Sequence, residues 1–516
     1  MTRTISGLNI RDAVTLVAAF CLFAITAVAG SAQEITLTSR AGGLTLTGRL
    51  IGYDGDFLRI ESAYGPLTVD YGDVVCAGEA CPDRQDFTPL LRISGAGRIA
   101  DVLLPALLEG FARETGRIAA LTGVDPARIV LTDPAGDQQL EVTIRASSSA
   151  EGFADLVSFE ADAALSYREP SVAERDRVTE IGLADLARPG HVAILGIDAL
   201  VPIVSPANPA RTIDPARLDL AFTGGWSAWP DGTPLTLHLG PESDGQAEGF
   251  LQALSGPPVA ITRHRDPDAL AAAVAADPGA LGLASLGATG IAQPLGLQDA
   301  CGLSFLPRPN GIKTQDYPLT TPVILALSQS RQPEIVREFL RYLRTPQAHL
   351  IIRRSGLIDL GVVPIPLDAQ GGRLAHAIGI AGPETPLTEL QRMVQLLRER
   401  ARVSLTFRFE RGGTALDPVS TANLLTLAHD IRAGAFAGRE ILLIGFSDGA
   451  GPASANLDLS AARAEGVRAQ LVALLGDLPE DVRLRTEAFG EAMPMGCDDT
   501  DWGRQLNRRV EVWVGD

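Results

Sequence analysis

Between residues 88 and 365 short apolar runs alternate with longer Ala/Leu-rich stretches, and this change of period constrains the fold more than any other feature of the chain. The run at 91–94 precedes the stretch at 102–115, and the runs at 129–132 and 142–145 follow. Short apolar runs bounded by turn residues suit buried strands, and longer Ala/Leu-rich stretches suit helices. An alternation this long predicts two α/β lobes rather than one. Residues 33–85 read differently. Ile35, Leu37, Leu44, Leu46, Leu50, Leu58, Ile60, Leu67 and Val69 alternate with polar neighbours, with turn residues at 41–43, 53–55 and 64–66. A period of two punctuated in this way predicts four or five short strands, expected as a small N-terminal β-barrel. Residues 366–385 are rich in Gly, Pro and Ala and read as a linker. A helix follows with Leu387, Leu390, Val394 and Leu397 on one face, which completes a 366–400 segment. From 401 to 516 strand and helix patterns alternate again, with strands expected at 403–409, 441–446, 484–488 and 510–514 and helices at 421–433 and 459–474.

Charge and cysteine usage narrow the function. Sixty-two acidic residues against 44 basic ones give a net charge of −18. A nucleic-acid binder needs a basic face, and docking on anionic lipid needs the same, so neither partner is expected. His191, His238, His264, His349 and His376 show no metal-ligand spacing. No metal and no cofactor is predicted. At the start, Arg3 and Arg11 precede an apolar run over 13–29, and small residues precede Gln33. This is the layout of a secretory leader, expected over 1–32, and its run is short for a membrane span. Bulky Phe20 before Cys21 argues against a lipoprotein cysteine. Export would place the other four cysteines in an oxidising compartment. Cys76 and Cys81 then read as a local disulfide, whereas Cys301 and Cys497 either pair across domains or stay free.

Two short motifs carry less than they suggest. Gly95-Ala-Gly97-Arg-Ile-Ala100 fits a dinucleotide fingerprint, but an exported chain rarely meets reduced nicotinamide cofactors. Glycines at a strand-to-helix turn also let backbone N–H groups face an oxyanion, which is the plainer use. Gly445-Phe-Ser447-Asp-Gly449 fits a nucleophile elbow, which needs a histidine further along, and the last histidine is His429. No enzyme activity is predicted.

The sharpest signal lies near the C-terminus. Ile444-Gly-Phe-Ser447-Asp448-Gly-Ala-Gly451-Pro-Ala-Ser-Ala-Asn456-Leu-Asp-Leu459-Ser460-Ala-Ala-Arg463-Ala464 resembles the signature of the OmpA-like peptidoglycan-binding family. Asn507-Arg508-Arg509-Val510-Glu511-Val512 matches that family's closing motif, and Gly490-Glu491 with Pro494 fits the segment between. The resemblance implies an α+β domain at 401–516 that binds the diaminopimelate stem peptide of peptidoglycan. It assigns the ammonium to Asp448, the carboxylate to Arg463 and loop orientation to Asn456, with Arg508 as a buttress. The chemistry is consistent, since one acid and one guanidinium fork complement an ammonium beside a carboxylate.

A second resemblance is more diffuse. Ile93-Ser94-Gly95-Ala96-Gly97, Ser147-Ser148-Ser149, Asp162 with Ser166 and Arg168, Asn208-Pro209, Phe222-Thr-Gly-Gly-Trp226 and Asp277-Pro-Gly-Ala-Leu-Gly282 occur in an order similar to the phosphate-type (PstS-like) periplasmic solute-binding proteins. That family implies a two-lobed type 2 fold over 88–365. Its anion site would use Ser94, Gly95, Ala96, Gly97, Ser147, Ser148, Ser149, Asp162, Ser166, Arg168 and Ser243. The chain departs from the pattern at 240–247, where the family's Arg and Thr are missing and Glu242 and Asp244 stand instead. Extra carboxylates disfavour a dianion.

Joined, these parts predict a peptidoglycan-anchored periplasmic solute-binding protein for phosphate or another small anion. Its expected partners are the cell wall and an ABC permease or envelope protein, and its expected place is the inner face of the outer membrane. The alternative is an envelope scaffold whose binding-protein domain holds no ligand.

Overall fold

The period-two segment forms a five-stranded antiparallel sheet of Glu34–Ser39, Thr45–Tyr53, Phe57–Ser62, Gly65–Asp70 and Val74–Ala77. Its alternate residues Ile35, Leu37, Leu58, Ile60 and Val74 are buried together. The Cys76–Cys81 disulfide is present, with the Cα atoms 5.9 Å apart. The expected barrel does not close. In sheet order the strands run fourth, third, second, first, fifth, so Gly65–Asp70 and Val74–Ala77 are the two edges. Val74–Ala77 pairs only with Glu34–Ser39 and Gly65–Asp70 only with Phe57–Ser62 among the described residues, so the sheet keeps two open edges instead of the matched ring of tilted strands a barrel needs. The computed structural model describes residues 34–83, 87–124, 126–183, 185–186, 188, 190–328, 332–409 and 413–515. The expected leader therefore lies outside the described residues. The chain divides into two units, Met1–Phe87 and Thr88–Asp516.

In the second unit the strand Leu90–Ala96 pairs in parallel with Gln138–Ser147 and with Ala163–Ser166. Helices Leu104–Glu114 and Glu334–Tyr342 cover it, and Ile93, Leu107, Phe111, Val323 and Phe339 share one core. The strand Val192–Val204 then leaves this lobe. Its first half pairs with Thr320–Leu327 and its second half with Ala280–Ser285. Leu200, Phe222, Leu237, Leu283 and Tyr317 form the core of the second lobe. The two lobes expected from the alternation are thus joined by one long strand.

The Gly/Pro/Ala-rich stretch is not an open linker. It holds a 3-10 turn at Leu367–Gln370 and a helix at Gly371–Gly379, followed by the helix Leu387–Leu397. Ala377, Leu390, Met393 and Leu397 are buried against Leu442, Ile444, Phe446 and Trp513, so an apolar stripe outweighs the breaker residues. The last sheet runs in the order Pro364–Pro366, Ala401–Arg408, Arg509–Gly515, Glu440–Phe446, Arg483–Ala488. Helices Pro418–Arg432 and Ala453–Leu475 cover its other face through Leu424, Leu427, Val467 and Leu471.

This domain is fastened to the second lobe. Arg402 lies 2.6 and 3.1 Å from the Asp316 carboxylate, and both groups are buried. Cys301 and Cys497 form a disulfide with Cα atoms 5.5 Å apart. Asp299 accepts from the Cys497 N–H at 2.9 Å, and Met495 and Leu506 pack into the lobe's core. Burial pushes the Glu511 carboxyl up, but Arg373, Arg402 and Arg509 overcome this and hold it well below the usual carboxylate range.

Candidate functional site

The C-terminal site begins where strand Glu440–Phe446 runs into Ser447 and Asp448. On the following helix Asn456, Ser460 and Arg463 are spaced to share one face, and all three are buried. Gly445 lets that helix lie against the strand, because a Cβ there would meet the Ser460 carbonyl oxygen at 1.9 Å. Arg463 is thereby set beside Asp448, with its guanidinium 5.1 Å from the Phe409 ring centroid. Only 4% of Arg463 is exposed, and its Nε and Nη1 have no acceptor among the described residues. Burial and then the Arg508 charge lower its pKa, and Asp448 opposes them.

The other side of the site is acidic. Asp448 accepts from Arg508 Nη1 at 2.6 Å, so the residue expected as a buttress touches the central acid directly. Among the described residues the buried Ser447 hydroxyl has no partner, and Asn456 faces the Glu491 carboxyl and lowers its pKa against the pull of burial. Burial, and then Glu384 and Asp498, raise the Glu491 pKa. Asp498 accepts from the Gly449 N–H and from Asn507 Nδ2, each at 2.8 Å. The structure therefore gathers Asp448, Asn456, Arg463 and Arg508. It adds Phe409, Glu491 and Asp498, to which the sequence reading gave no role. Gly490-Glu491 was visible as a motif, but nothing local marks Phe409. Orphaned donors facing converged carboxylates can hold a carboxylate and an ammonium together.

The cleft candidates lie mostly at the carboxyl ends of the parallel strands, but their donors are engaged. Ser94 donates to Asp155, which also takes Arg145, and the Ser94 and Ser147 hydroxyls lie 3.3 Å apart. Ser148 caps the helix Ser149–Val157 reciprocally with Glu151. The Ser149 hydroxyl accepts from Tyr167 N–H at 3.2 Å, and Ser166 closes a turn on Arg168. Arg168 is 8% exposed and lies 5.2 Å from the Phe153 centroid. It binds both Glu174 oxygens at 2.7 Å and Glu248 Oε1 at 2.8 Å. Burial pulls its pKa down, but these carboxylates outweigh that and raise it.

The turn after 240 closes on this cradle. The Ser243 carbonyl oxygen lies 3.2 Å from the Cβ position of Gly97. A Cβ on Gly245 would stand 2.6 Å from the Ser149 hydroxyl and 3.4 Å from the Ala96 Cβ, so glycine permits the approach, at a φ of +68°. Asp162 is not brought to the cleft. It precedes strand Ala163–Ser166 and binds Arg92 at 2.8 and 3.0 Å, at the amino end of the parallel strands. From the second lobe Asp198, 1% exposed, accepts from Ser285 and from Gln246 Nε2, each at 2.7 Å. Burial raises the Asp244 pKa to about 6, Arg98 opposes, and Asp101 and Asp266 push it further up. Glu174, Asp198, Gln246 and Glu248 were missed by the sequence reading, although the unusual carboxylates at 242 and 244 marked the segment.

A model of the PBP superfamily domain matches residues 88–346, half of the 516 residues. The chain belongs to the PBP superfamily. A model of the OmpA family matches residues 408–508, beyond the PBP domain. Among curated proteins none matches. An ABC-type phosphate transport receptor from Vibrio cholerae is similar at 18% identity over 52% of this chain and 99% of its own, with a TM-score of 0.41. The peptidoglycan-associated lipoprotein from Burkholderia pseudomallei is 25% identical over 21% of this chain and 88% of its own, with a TM-score of 0.19. The cell wall anchor of a T6SS from Pseudomonas aeruginosa is 25% identical over 25% of this chain and 94% of its own, with a TM-score of 0.18.

Proposed function

We propose that the chain is a peptidoglycan-anchored binding protein of the cell envelope, periplasmic and held to the wall at the inner face of the outer membrane. The observation that carries this is the buried Arg463 guanidinium, whose Nε and Nη1 are unpaired among the described residues, beside Asp448. A buried guanidinium without an acceptor is costly unless a ligand supplies one. The side-chain end of diaminopimelate offers a carboxylate for Arg463 and an ammonium for Asp448 and Glu491. No helix among the described residues is long and apolar enough to cross a membrane. Sedimentation of the mature chain with diaminopimelate-type sacculi tests this. Wild type should pellet and Asp448→Ala/Arg463→Ala should stay in solution. Equal sedimentation of the two would contradict the reading.

For the cleft, the ligand class is a small anion such as phosphate, with an ABC permease as the partner that class implies. A second reading, a wall-linked scaffold that partners envelope proteins, is favoured by a specific observation: Arg168 is already bound by Glu174 and Glu248. The families matched are of solute-binding and wall-binding kinds, and no covalent step is assigned to either site. A thermal shift with inorganic phosphate that is lost in Arg168→Ala would favour the first reading, and no shift would favour the second.

A further inference from the structure

We infer that Glu248 is a built-in ligand of the cleft: its carboxylate takes the Arg168 and Ala150 donors of the first lobe, and a solute anion that uses these donors must displace it. This rests on reading 88–365 as a two-lobed solute-binding domain.

The contact joins the lobes. Glu248 opens the short helix Glu248–Gln252, whose Phe250 and Leu251 pack on the second lobe's core. Arg168 and Ala150 belong to the first lobe, where Phe153 packs with Ala164 and Ile324. Glu248 Oε1 accepts from Arg168 Nε at 2.8 Å across 80 residues of chain. Its Oε2 accepts from the Ala150 N–H at 3.3 Å across 98 residues. Gln252 Nε2 donates to Oε1 at 3.2 Å and holds the carboxylate in place. One guanidinium and one helix-start amide, held by one carboxylate, form the type of seat that fixes an oxyanion at a helix N-terminus.

At Arg168 and the helix start little is left over, while the Nη1 of Arg98, next to Gly97, is buried without a partner among the described residues. A guanidinium has five N–H groups. In Arg168, Nε goes to Glu248, Nη1 to Glu174 and to the Glu169 carbonyl, and Nη2 to Glu174. At the helix start, Ala150 N–H goes to Glu248 and Glu151 N–H to Ser148. The Gly245 approach covers Ser149, whose backbone nitrogen lies 3.0 Å from the glycine's Cβ position. In charge terms, one cation faces two carboxylates, so an added anion meets net negative charge until one of them leaves. Glu174 is held by the Ser171 N–H as well as by Arg168, in the first turn of its own helix and within the first lobe. Glu248 is the carboxylate that reaches in from the other lobe, so it is the one whose release also parts the lobes. In the ordinary mode of this architecture the solute draws the lobes together. Here the chain's own side chain does so, and solute binding carries the cost of expelling it.

Glu248→Gln keeps the shape and removes the charge. The experiment titrates inorganic phosphate into the full mature chain, wild type and E248Q, by calorimetry. Hydrogen exchange is followed over residues 148–152, with circular dichroism to confirm folding. Phosphate should bind E248Q at least about tenfold more tightly than wild type. Equal affinity in the two proteins would overturn the inference. If neither protein binds phosphate, exchange decides. Faster exchange at Ala150 in E248Q supports the built-in ligand, and unchanged exchange overturns it. The first of these last two outcomes would end the phosphate reading of the cleft while leaving the Glu248 latch intact, so the two ideas fail separately.

Discussion

Arg463 and Arg168 are a matched pair with opposite fates. Each is more than nine-tenths buried, and each lies over a phenylalanine ring at 5.1 and 5.2 Å. Arg463 keeps Nε and Nη1 without an acceptor, and burial lowers its pKa. Arg168 is bound by two carboxylates, and its pKa is raised against the pull of burial. The same residue, buried over a phenylalanine ring in both domains, is left without acceptors at two nitrogens in one and is held by two carboxylates in the other. A family motif locates the guanidinium, but only the tertiary structure shows whether it is free.

The comparison can be broken by removing partners. The largest expected effect lies between the second lobe and the C-terminal domain, where Asp316→Ala would leave the buried Arg402 with only Glu511 and Thr406 as partners among the described residues. That should cost about 3–5 kcal/mol, read as a fall in the denaturant midpoint. Arg168→Met removes the one cation that Glu174 and Glu248 share and should cost about 3 kcal/mol in the same assay. Arg463→Met removes an unpaired charge and should leave the midpoint unchanged or higher, while sacculus binding weakens by about 2–5 kcal/mol. Equal destabilisation by the two arginine variants would erase the distinction. Replacing Cys301 and Cys497 with alanine should cost about 2–4 kcal/mol. It should also speed hydrogen exchange around Asp498, which holds the Gly449 amide beside the wall site.

The smallest effect is on pH dependence. Asp244 has a folded-state pKa near 6, above its unfolded value of about 3.9. The folded state therefore binds the extra proton between these values. Its contribution to stability is fully present below about pH 4 and is lost as the pH rises through 6. Asp244→Asn should flatten the dependence of Tm on pH across that window, and an unaltered profile would show that another group sets it.

The gathering of Asp448, Asn456 and Arg463 was legible because these residues are local. Asp448, Asn456 and Arg463 belong to one strand–helix unit, and their spacing alone puts them on facing surfaces. Arg508 was visible as a motif, but its contact with Asp448 spans 60 residues and needed the fold. The cleft was legible as architecture and misread in detail. Asp162 sits at the wrong end of its strand, which a residue's type does not reveal, and Glu248 reaches its partners across 80 and 98 residues. The open N-terminal sheet and the packed helix Gly371–Gly379 were misjudged for a related reason. Turn residues and breakers report local preference, while closure and burial are settled by what lies opposite. The Cys301–Cys497 bond, 196 residues apart in sequence, was open until the lobes were placed.

The most direct test titrates one preparation of the mature chain by calorimetry, first with meso-diaminopimelate and then with inorganic phosphate. A free Arg463 and an occupied Arg168 predict saturable heat from diaminopimelate that disappears in Arg463→Ala, and phosphate binding at least about tenfold weaker in the wild type than in E248Q. Phosphate binding as tight in the wild type as in E248Q, with diaminopimelate silent, would contradict the account.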